Sequence, residues 1–95
     1  MSAGRVLRLA LAPALMAGLA HADCYADYKA RQQAPFALHY GVAQITGPCT
    51  TQDAAAELTP RLAAAGWRLL TVVSVFDAEG LEERRANAGD FFLRY

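Results

Sequence analysis

The stretch "WRLLTVVSVF", residues 67–76, decides the fold. Eight of its ten side chains are apolar or β-branched, and no glycine or proline interrupts it. This composition reads as a strand. Both faces are largely apolar. Such a strand is usually covered on both sides or sits at a subunit contact.

Upstream, residues 51–65 read as a helix. Thr50 or Thr51 supplies the cap, Asp53 and Glu57 lie near the positive end of the dipole, and Gly66 is the stop. Ala54, Leu58, Leu62 and Ala65 form one apolar stripe. Pro60 removes a helical hydrogen bond, so a bend is expected there rather than a split into two helices. Before a Gly47-Pro48 turn, residues 36–45 alternate and read as another strand. Phe36, Leu38, Tyr40 and Val42 form a bulky face, expected to pack under the helices. Ala37, His39, Gly41 and Ala43 form a small face, expected to be open to a partner or ligand. Residues 24–33 read as a short helix, capped by Asp23 and stopped by Pro35, with Tyr25, Tyr28 and Arg31 at three-residue spacing.

Downstream, residues 77–90 are a polar connection with one helical turn expected at 81–85, and residues 91–95 read as a last short strand. The expected class is α+β. A three-stranded sheet carries its helices on one face, in the order β-α-β-β after the N-terminal helix. Two strand orders stay open. A central last strand gives a half-ferredoxin-like arrangement, whereas the double-sided apolar character of residues 67–76 argues for that strand in the centre. The split form is the expectation.

Residues 1–22 have the parts of a cleaved secretory signal: Arg5 and Arg8, an apolar run, and Ala20-His21-Ala22 as the cleavage triplet. Cleavage there leaves one domain, residues 23–95, for the periplasm. It carries seven basic and nine acidic residues, a net charge of −2. That balance lacks the basic footprint of a nucleic-acid binder, and no membrane-seeking basic helix follows the signal. Two cysteines in a short exported chain, Cys24 and Cys49, are most simply one disulfide. Its closure stabilises a small core by about 3–4 kcal/mol. Zinc would need four ligands, and only one histidine remains after cleavage. No cofactor motif is present.

"AAAGWRLLTVVSV" followed by "GDFFLRY" resembles small bacterial β-α-β-β domains of unknown function. Gly66, Trp67, Leu69, Leu70, Phe92 and Arg94 stand in the matching places. With "DCYADYKA", "LHYG" and "RRANAG", residues 23–95 are also similar to small exported proteins of Gram-negative bacteria. The resemblance implies the fold and the compartment, but no activity.

The candidate ligand-binding residues are His39, the one imidazole of residues 23–95, and the polar cluster Arg84, Arg85 and Asn87 in the long connection. Each has a plainer explanation, as a packed sheet residue or as arginines paired with Glu79, Glu82 and Glu83. Two functions compete. One is a non-enzymatic binding or interaction module, self-associating as a homodimer through an open sheet face. The other is a small enzyme or anion-ligand sensor, which requires His39 to converge with the arginines in a pocket.

Overall fold

A computed structural model describes residues 23–95, and the signal segment expected over residues 1–22 lies outside them. The elements are β1 (Cys24–Gln32), β2 (Ala37–Ile45), α1 (Thr51–Ala64), β3 (Arg68–Phe76) and α2 (Glu82–Ala88). Short 3-10 turns at Ala78–Gly80 and Gly89–Phe91 flank α2. The α+β class, the three-stranded sheet and the Cys24–Cys49 disulfide, with Cα atoms 5.7 Å apart, are all present. The sheet is antiparallel, in the order β2-β1-β3.

Four expectations are corrected. First, residues 24–32 form the central strand, not a helix. Cys24, Ala26, Tyr28 and Ala30 alternate with Tyr25, Asp27, Lys29 and Arg31, a period of two. The helix-forming alanines, Lys29 and Arg31 mask that period, but pairing on both edges overrides local propensity. Second, residues 91–95 form no sheet strand. The segment lies along the outer edge of β2, with one parallel bridge, Val42 to Phe92, and a bond from the Leu93 amide to the Val42 carbonyl at 2.7 Å. The chain order is therefore β-β-α-β-α.

Third, neither strand order left open is observed: the centre is taken by residues 24–32, and residues 68–76 are an edge strand. Register shifts against β1 occur between Asp27 and Tyr28 and between Lys29 and Ala30. They leave Val73 and Leu70 as extra, unpaired residues, both half exposed. Two bulges thus make a two-face strand look apolar on both sides in sequence.

Fourth, the helices lie on opposite faces. Leu58, Leu62 and Ala54 of α1 pack on Cys24, Ala26, Tyr28, Ala30, Ala43 and Ile45. On the other side, Ala88 of α2 and the neighbouring Leu81 pack with Tyr25, Val42, Tyr40, Phe76 and Phe92. The small face of β2 is therefore buried under α1, and part of its bulky face is bare. Phe36 and Leu38 are 64% and 62% exposed.

The helix α1 begins at Thr50, whose hydroxyl accepts from the Asp53 amide at 3.0 Å. It runs unbroken through Pro60. The carbonyl that this proline strands belongs to exposed Ala56, where water can satisfy it. Glu57 ties α1 to the loop after β2: its carboxylate accepts from the amides of Thr46 and Gly47, both at 3.0 Å, and from Arg61 at 2.8 Å. Burial raises its pKa, but these donors outweigh burial and hold the net value below the usual glutamate range.

Candidate functional site

His39 lies on the α1 face, 8% exposed. Its Nε2 shares a 2.9 Å hydrogen bond with the Tyr28 hydroxyl. Tyr28 reaches it by lying across Gly41, where a Cβ would stand 2.5 Å from the Tyr28 oxygen. Only glycine admits that ring. The imidazole stacks on Phe91 at 3.7 Å and meets the Trp67 edge at 4.2 Å. Trp67 is partly buried against the main core, as its place after Gly66 suggests. Desolvation in this sleeve lowers the His39 pKa, and Nδ1 has no hydrogen-bond partner among the described residues. A ring enclosed by Tyr28, Trp67 and Phe91 fits the plainer explanation, a packed sheet residue.

Arg84 lies on the opposite face and anchors α2 to the sheet. Its Nε donates to Asp27 at 3.1 Å, its Nη1 donates to the Gly80 carbonyl at 2.7 Å, and its guanidinium lies 3.8 Å over the Phe76 ring. Asp27, 5% exposed on the central strand, also accepts from Ser74 at 2.6 Å and Tyr40 at 2.8 Å. Burial pushes its carboxyl up. The bonds from Ser74, Tyr40 and Arg84, with the Arg84 charge, outweigh that and hold it below the ordinary value. Burial and the Asp27 carboxylate push the Tyr40 hydroxyl up to about 12. Arg85 lies over Phe92 and pairs with Glu82 in solvent, and Asn87 is exposed. His39 and the Arg84–Asn87 cluster are therefore separated by the sheet itself and share no pocket.

The surface that sequence reading missed is the other half of the α2 face. The short helix covers the sheet as far as Asp27, Tyr40 and Ser74. Beyond them the face is bare. Lys29, Ala30, Leu38, His39, Tyr40 and Leu70 line a shallow, mainly apolar groove of about 330 Å³. Arg31 and Arg68 sit directly opposite each other on β1 and β3. Arg31 extends over Phe36 at the hairpin turn. Lys29, Arg31 and Arg68 make no ion pair among the described residues. The signal was present: Asp27, Lys29 and Arg31 share one parity of a period-two pattern. It becomes visible only once residues 24–32 are read as a strand.

Among the described residues no group of three histidine, cysteine or acidic side chains is placed to hold a metal ion. No helix there is long and apolar enough to cross a membrane. Comparisons with protein-family models, with curated proteins and with solved structures find no match for this chain.

Proposed function

We propose that this chain is an exported, non-enzymatic interaction module that associates with a second copy of itself through the bare half of its α2 face. The observation that carries the reading is the placement of exposed Leu38, Leu70 and Phe36 around unpaired basic side chains on the three-stranded sheet. A small domain that can cover one half of a sheet face with a helix and leaves the other half apolar has a surface suited to a partner. The edge of β3 is a poorer docking site, because its two bulges break the ladder that an added strand would need. The disulfide is consistent with the periplasm, an oxidising compartment, and with residues 1–22 as a cleaved signal. The alternative, an enzyme or anion sensor using His39 with Arg84 and Arg85, draws no support from side chains on opposite faces.

Sedimentation of the protein purified from the periplasm tests the reading. Wild type should show a concentration-dependent monomer–dimer equilibrium. Leu38→Glu places a charge in the groove and should be monomeric with an unchanged melting temperature. A wild type that stays monomeric to millimolar concentration contradicts self-association.

A further inference from the structure

The α2 face is divided by charge as well as by height, and the two divisions coincide. Residues 77–90, which form α2 and its flanking turns, carry Asp77, Glu79, Glu82, Glu83 and Asp90 against Arg84 and Arg85. Arg84 is drawn inward onto Asp27. The bare half carries Lys29, Arg31 and Arg68 and no acidic residue. Arg31 and Arg68 are direct cross-strand neighbours, an arrangement that repels until an anionic group lies against it. A chain with a net charge of −2 over residues 23–95 has thus separated its charges along one face.

We propose that the occupant of the bare half is the α2 segment of a second copy, in a two-fold dimer where each acidic helix sits in the other's basic step. This rests on the reading above and specifies its geometry. A helix packed on a sheet raises that half by roughly its own diameter, about 10 Å. The covered and bare halves therefore form a step, and a copy turned by 180° presents the complementary step. In such an isologous contact the same two patches are used twice, so one charge separation satisfies both halves. The size sets the strength. Strands of nine residues span about 30 Å, and three strands about 14 Å, so the footprint of each copy, bare half and α2 together, is about 400 Å². Two such footprints bury about 800 Å² in all, below the standard size for a stable complex, which fits a weak, salt-sensitive dimer.

A charge exchange tests the pairing. One variant carries Lys29→Glu and Arg31→Glu; the other carries Glu79→Lys and Glu82→Lys. All four positions are exposed or partly so, and each variant should keep the wild-type melting temperature. Alone, each should dimerise about tenfold or more weakly than wild type, because like charges meet at both steps. Mixed in equal amounts, the two should form a heterodimer with an affinity close to that of wild type. If wild type dimerises but each variant alone does so equally well, the α2 pairing is wrong while the face remains the interface. If both variants are weakened and the mixture does not recover, the bare half binds something other than α2. A wild type that never dimerises removes the self-association reading itself. Should a variant fail to fold, raising salt from about 10 mM to about 500 mM on wild type carries the same test, since the screening length falls below one residue's reach. Dissociation is expected, and indifference to salt contradicts the charge pairing.

Discussion

The two faces of the sheet are built from alternate residues of the same strands, yet they are finished to different degrees. The α1 face is closed. Leu58, Leu62, Ala54 and Tyr28 are wholly buried there, and Ala26, Ala30, Gly41 and Ala43 are small enough to let the helix and the Tyr28 ring settle onto the strands. The α2 face is closed over one half only, by a seven-residue helix held through a buried carboxylate. A helix that short has little stability of its own. Its position depends on Asp27, Arg84 and Phe76. One face supplies the stability of the domain; the other presents a surface.

That contrast can be broken or sharpened by substitution, starting with the largest effects. Leu58→Ala should cost about 3–5 kcal/mol, since the side chain is fully enclosed on the closed face; denaturant unfolding measures it, and a loss under 1 kcal/mol (about one buried methylene) would mean that α1 is not seated as described. Cys49→Ser, which opens a loop of 25 residues, should cost about 3–4 kcal/mol by the same measurement. Asp27→Ala should cost less, about 2–3 kcal/mol. It strands a buried cation, but the Arg84 side chain is 20% exposed and can turn to water. Hydrogen exchange should then show α2 amides losing protection while α1 amides keep theirs. Equal loss in both helices would mean the faces are not separable.

Acid should act in two steps, first through His39 and at lower pH through Asp27 and Glu57. The lowered His39 pKa means that the unfolded chain binds the proton more readily, so stability present above about pH 6.5 falls as pH drops below that value toward the folded pKa. Asp27 and Glu57, also lowered, contribute stability that is present above about pH 4 and is lost as pH falls further. In thermal melts across pH, His39→Gln should flatten the upper part of the profile only. Asp27→Asn should reduce the lower part while Glu57 retains its share. A profile unchanged by His39→Gln would contradict the enclosed imidazole.

Sequence reading recovered the elements whose signals are local. The helix α1 is announced by the Thr50 cap, the leucine stripe and Gly66, and β2 by its alternation. It failed where tertiary structure decides. On β2 the bulky parity looked like the core side, but α1 brings Leu58 and Leu62 to the sheet and Tyr28 spreads over Gly41. The strand beneath them must therefore be small, and bulk is displaced to the other face. On β3 the two bulges hid the period. At the C-terminus, Phe91, Phe92 and Tyr95 serve as separate packing groups: Phe91 stacks on His39, Phe92 joins the α2-side cluster, and Tyr95 takes a hydrogen bond from Arg61. An aromatic run with those roles resembles a strand in sequence. Arg84 reads from sequence as a candidate ligand-binding residue, whereas its guanidinium is directed inward at Asp27, a partner 57 positions away.

The central claim, that the bare half of the α2 face is where a second copy binds, is tested most directly by backbone amide spectra of the disulfide-bonded protein over a concentration series. The account predicts progressive shifts at Lys29, Arg31, Leu38, Leu70 and along α2, with α1 and the outer face of Leu58–Leu62 unmoved. Shifts confined to α1, or spectra independent of concentration into the millimolar range, would contradict it.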